Sequence, residues 1–292
     1  MEKIMSDIYE TFDFGYDPSV PETIVCQDVP PPTSLPSSAR IDRKWLPPVG
    51  KQHVPNCFVW STTYGIATVW AAQKGGYSPT SATDQGAPDY TYIQVEEATD
   101  VKPNTCVGGG FNPVFQFLMA GGTATLANAP NLVGSSSEVT CEDNWTAYGP
   151  NSQPVQRDAR FQVPGHKCIP LAGEQGLANM RAIIASGQPL AYCTHLYTDF
   201  PSYKGDPPTY VGNGKWLCNK RTRKKAGHCM MVIGYDDDRV YPHVPGNSVG
   251  LKGAVLIQNS FGTQWGADGL VWMAYTTFQT MAEGSATYIS VS

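Results

Sequence analysis

Up to Gly187 the apolar positions of this chain recur at helical spacing; beyond it they gather into short runs of strand length. The stretch Cys57–Gln73 follows Asn56, a good N-cap, and stops at Gly75-Gly76. Its Val, Thr and Trp residues are poor intrinsic helix formers, so a helix here depends on burial. Asn112-Pro113 opens a second helix, with Val114, Phe115, Leu118 and Met119 apolar and Gly121-Gly122 as the stop. Leu177, Met180, Ile183 and Ile184 form one face of a third. Strands are expected over Pro189–Tyr197, His228–Tyr235, Ala254–Gln258 and Leu270–Tyr275, each broken off by Gly, Pro, Asn or Asp. Helices first and strands after predict an α+β fold of two halves, about 46–158 and 159–292, with a cleft between them.

Residues 1–45 precede this pattern. Pro18, Pro21, Pro30-Pro31-Pro32 and Pro36, with Ser34, Ser37 and Ser38 among them, favour an extended arm over a packed element. Hydrophobic content of 41% is enough for a large core. A net charge of −5 argues against a nucleic-acid partner. No apolar run is long enough to span a membrane. The N-terminus carries acids where a signal peptide needs a basic start, while eight Cys and low charge lean towards secretion, so the compartment stays open.

Three places carry chemistry. Cys57 begins the first helix, where the dipole and unpaired N–H groups favour thiolate. His228 begins a strand in Gly227-His228-Cys229-Met230-Met231-Val232-Ile233-Gly234-Tyr235, and Asn259 ends another in Asn259-Ser260-Phe261-Gly262-Thr263-Gln264-Trp265-Gly266. A Cys, a His and an Asn are the parts of a nucleophile, a base and its orienter. His53, His166, His195 and His243 lack comparable surroundings. Metal-binding spacings are missing, and Asp236-Asp237-Asp238 reads as a solvated turn, so no metal and no cofactor are expected. Lys220–Lys225 reads as an exposed basic loop.

These motifs resemble those of the papain-like cysteine peptidases. The Asn259–Gly266 block is the most specific match, followed by the spacing from His228 to Gly234-Tyr235. Cys106-Val107-Gly108-Gly109-Gly110-Phe111 is similar to the family's substrate-pairing segment, and Phe200–Gly205 to a further family stretch. The resemblance implies a two-lobed fold and peptide hydrolysis through a thioester. By position it implies Cys57 as nucleophile, His228 as base and then acid, Asn259 as orienter, and Gln52 as an oxyanion donor. Gly109 and Gly110 would pair with substrate backbone; Phe111, Cys229 and Trp265 would line the substrate site. The partner would be a peptide or protein substrate cut by an endopeptidase, the enzyme a monomer, and residues 1–40 a zymogen-like segment contacting or covering the cleft. Two rivals use the same fold: a peptide-binding module without turnover, and a transpeptidase passing the thioester to an amine.

The departures are specific. Asn56-Cys57-Phe58 replaces the family's usual surroundings of the Cys, Gln52 is one residue closer to it than usual, and Phe261 stands for a shielding Trp. Insertions are implied at Asp236–Lys252 and within Glu138–Lys167. The position that commonly pairs with Cys106 is Val54. Cys193 and Cys229, in apolar runs, are expected as buried free thiols, and Cys141 is paired with Cys168.

Overall fold

The computed structural model describes residues 15–18, 24–30, 32, 34–98, 107–132, 140–219, 222–241 and 251–290, the side chains of 97 and 98 excepted. Cys106, Lys220, Arg221, His243 and parts of both expected insertions lie outside these residues.

Cys57–Val59 runs on through a π-helical stretch, Trp60–Ala67, into Thr68–Gly75; we call the whole α1. Hydroxyls of Ser61 and Thr62 donate to the Phe58 carbonyl and that of Thr68 to Thr63, competing with the backbone ladder and favouring the wider turn. Every residue from Cys57 to Val69 is buried, which offsets the low propensity. Gly76, at φ +69°, ends it in the left-handed conformation. Among the described residues the first half also holds the α-helices α2 (Pro88–Ala98), α3 (Phe111–Met119) and α4 (Cys141–Tyr148). Gly110, not Asn112, holds the cap position of α3, so Pro113 falls inside the first turn.

The second half is an antiparallel sheet. Its strands are β1 (Ser38–Arg40), β2 (His166–Pro170), β3 (Leu190–His195), β4 (Gly227–Val240), β5 (Lys252–Gln258), β6 (Leu270–Ala274) and β7 (Ala282–Ile289). They are ordered β2-β7-β3-β4-β5-β6, with β1 added beside β4. One face, with Cys193, Met231, Ile233 and Leu256, packs on Val59, Ile66 and Val69 of the helical half. The other, with Tyr192, Val232 and Ile257, packs on α5 (Gly173–Ala185) and α6 (Tyr275–Met281) through Met180, Ile184 and Phe278. The fold is therefore α+β and two-lobed, with the lobes meeting along the inner face of the sheet.

Much of the Pro-rich stretch is part of this body. Cys26 is disulfide-bonded to Cys168, the Gln27 N–H donates to the Cys168 carbonyl, and the Val29 N–H donates to Asn179 Oδ1. β1 pairs with β4 from Ser38↔Asp236 to Arg40↔Gly234. The pairing of Cys141 with Cys168 is thus corrected: Cys168 is tied to the arm. So is the reading of Cys193 and Cys229 as free thiols, because they stand directly opposite each other on β3 and β4 and form a disulfide. Asp236-Asp237-Asp238 lies within β4, not in a turn; Asp237 pairs with Arg181 and Asp238 with Lys252.

Candidate active site

Cys57 is the first residue of α1, and His228 the second of β4, so the contact of helical half and sheet brings them together. Both are fully buried. The Cys229 backbone N–H donates to Cys57 Sγ at 3.2 Å. Asn259 follows the end of β5, the strand beside β4. His228 Nε2 and Asn259 Oδ1 are 2.7 Å apart, and the Ser260 N–H donates to that same oxygen at 2.7 Å. A backbone donor fixes the Asn259 amide with its oxygen towards the ring, so Nε2 carries the hydrogen. Nδ1 is then the unprotonated ring nitrogen. The Phe261 ring stacks on His228 at 4.6 Å between centroids, with 26° between planes, and shields the His–Asn bond from water.

Gln52 sits on the segment leading to Cys57. Its Oε1 accepts from Ser260 Oγ at 2.6 Å and its Nε2 donates to the Val54 carbonyl at 3.1 Å. The side chain is thereby fixed between the loop before Cys57 and the Asn259 segment. Trp265 is in the core, fully buried, with its indole N–H donating to the Phe200 carbonyl and its ring edge-on to Phe261. Its ring supports Phe261 from the side. Phe111 is buried at the start of α3. The Cys229 side chain is tied to Cys193, so this residue meets the site through its backbone.

Asn56 occupies the N-cap position of α1 but makes no side-chain capping bond. Its Nδ2 donates instead to Asp89 Oδ1 at 2.9 Å, while the Leu132 N–H donates to Oδ2. Asp89 is wholly buried in α2, and burial pushes its carboxyl up to about 6. The Asn56 side chain is thus turned away from the first turn of α1, whose positive end faces the Cys57 thiol. Sequence reading missed Asp89; the available signal was Pro88-Asp89 as a helix start within a Tyr- and Thr-rich run.

The cleft contains a piece of the chain itself. Tyr16 makes a parallel β-bridge with Gly109, in which the Gly109 N–H donates to the Gly15 carbonyl at 2.9 Å and the Asp17 N–H to the Gly109 carbonyl at 3.2 Å. Gly15, at φ +101°, leaves no room for a Cβ against the Pro55 carbonyl. A Cβ on Gly108 would meet the Gly15 backbone at 2.8 Å, and one on Gly227 the Tyr16 ring at 2.7 Å. Gly15–Asp17 therefore passes between the loop before Cys57, the glycine edge at 108–109 and the strand start at His228. Among the described residues no cluster of His, Cys, Asp and Glu could hold a metal ion, and no helix is long and apolar enough to cross a membrane.

Comparison with known proteins identifies the family and the fold. The model of the papain family cysteine proteases matches residues 47–289, and the chain belongs to that family. In overall structure it is similar to xylellain, a cysteine protease from Xylella fastidiosa, with a TM-score of 0.64 at 14% identity over 97% of this chain and 98% of that one. It is also similar to digestive procathepsin L 3 of Tenebrio molitor larval midgut (0.62, 16%, 98% and 79%) and to procathepsin B S9 from Trypanosoma congolense (0.64, 13%, 97% and 88%). No curated protein matches by sequence. The protein is a cysteine peptidase of papain-like fold.

Proposed function

We propose that this protein is an endopeptidase in which Cys57, His228 and Asn259 carry the chemistry, and that Gly15–Asp17 covers the site until displaced. The observation that supports the reading is the Cys229 N–H on the Cys57 sulfur, one residue after an imidazole whose Nε2 lies on Asn259 Oδ1. His228 Nδ1 takes the thiol proton, and the thiolate is held by the helix terminus and the Cys229 N–H. Sulfur attacks the peptide carbonyl. The Cys57 N–H, with the second Gln52 amide hydrogen, stabilises the developing oxyanion. His228 then protonates the leaving amine, and water, deprotonated by the same ring, cleaves the thioester to carboxylate and free thiol.

Two observations support cleavage within chains. Gly109 offers both backbone groups to an extended partner, and the segment now lying on it is itself internal, with residues 1–14 before it. The removable cover ends before Cys26, because the chain from there onwards is stitched to the sheet. The catalytic body thus begins well before Trp45, near Cys26. Cleavage of a peptide library by wild type beside Cys57→Ala tests the reading: the variant loses all turnover, and turnover equal to wild type refutes the nucleophile.

A further inference from the structure

The strand end that carries His228 and Cys229 is poorly supported by hydrogen bonding. β5 joins β4 only from Met231↔Gln258 onwards, and β1 only from Gly234. From Gly227 to Met230 the one described strand neighbour is β3. β3 is itself interrupted there: its pairing with β7 jumps from Tyr192↔Ala286 to Thr194↔Ala282, leaving Cys193 in the break. A bulge of this kind loosens the ladder beside it. The Cys193–Cys229 disulfide joins the two strands at this point. Its Cys229 end is the residue whose N–H reaches Cys57 Sγ.

We propose that the Cys193–Cys229 disulfide is a positioning element for catalysis: it holds the Cys229 N–H on the Cys57 sulfur and the neighbouring His228 in register with it. This rests on the assignment of Cys57 as nucleophile. A hydrogen bond to a thiolate favours the charged form and is directional, so a small rotation of the Cys229 peptide removes much of it. The tie prevents that rotation where the ladder does not. Both sulfurs are buried, so the bond is protected from the solvent that reaches an open cleft.

The test compares full-length Gly15→Ala, in which the cover is expelled, with the same protein carrying Cys193→Ala/Cys229→Ala, following iodoacetamide alkylation of Cys57 against pH by peptide mass spectrometry, which separates it from the exposed free Cys218. kcat and KM are measured on one peptide. Losing one charge-assisted bond should raise the midpoint of alkylation by about one pH unit and lower kcat about tenfold, with KM changed less than about twofold. A second variant, Cys193→Val/Cys229→Ala, refills the volume without the tie and should show the same two changes. An unchanged midpoint and kcat in either folded variant, even with a lower melting temperature, overturns the proposal, as does full recovery in the Val-containing variant. If Cys57→Ala retains the cleavage activity of wild type, the nucleophile assignment fails and takes this inference with it.

Discussion

Gly15 and Pro55 are in backbone contact, and Pro55 is two residues before Cys57. The position admits only glycine, both for space and for its φ of +101°. Gly15→Ala should therefore expel the cover without touching the core. The full-length variant is expected to cleave peptides at least about tenfold faster than wild type, since a clash of this kind costs more than about 1.4 kcal/mol. Progress curves on a fluorogenic peptide check this, and equal rates would mean that Gly15–Asp17 does not limit access.

Where the cover ends and the body begins gives a second prediction. Removing residues 1–18 should activate, whereas removing 1–40 also deletes the Cys26–Cys168 bond, the contacts of Gln27 and Val29, and β1. Loss of a disulfide closing so long a loop alone costs roughly 2–5 kcal/mol. Thermal melts of the two truncations are expected to differ by at least about 5 °C; equal melting temperatures would show that the arm is not part of the body.

The Asn259 amide holds the His228 tautomer, and Phe261 keeps water from that bond. Asn259→Ala should lower kcat by roughly ten- to a hundredfold with little change in KM, and Phe261→Ala by a smaller factor. Steady-state kinetics on both variants decide; an Asn259→Ala enzyme with wild-type kcat would remove the orienting role.

Asp89 makes stability depend on pH in a defined direction. Its folded carboxyl is raised to about 6, above the ordinary value of 3.8, so the unfolded chain ionises first. Folding stability is unaffected below the lower value and falls as pH rises between the two, by on the order of 3 kcal/mol from this group. Asp89→Asn removes the titration while its carbonyl can still accept from Asn56. Its melting temperature relative to wild type should rise from about pH 4 to pH 6 and then level off; a constant difference would contradict the raised value.

Much of this site was legible in the chain because chemistry constrains residue type at short range. Cys57 at a helix start, His228 at a strand start and Asn259 with its aromatic follower each sit in a motif of a few residues. What escaped depends on register and burial. The Cys193–Cys229 bond needs the alignment of strands separated by the whole Leu196–Ala226 segment. Cys26–Cys168 needs knowledge of where a Pro-rich arm lies. The burial of Trp265, part of the best-matching motif, comes from Phe200 and Tyr203, some sixty residues away in the chain. α2 was missed since its Tyr, Thr and Ile residues favour strands, and tertiary packing overrides that preference. β7, with Gly284 and Ser285 among its residues, was missed for the opposite reason: it has weak strand propensity and takes its conformation from β2 and β3.

The most direct measurement of the central claim is the site and rate of labelling by a thiol-directed peptidyl epoxide, read by intact-mass and peptide mass spectrometry on wild type and Gly15→Ala. One label at Cys57, acquired faster by Gly15→Ala and lost in Cys57→Ala, is the result this account predicts. An unlabelled Cys57 in the Gly15→Ala protein would contradict it.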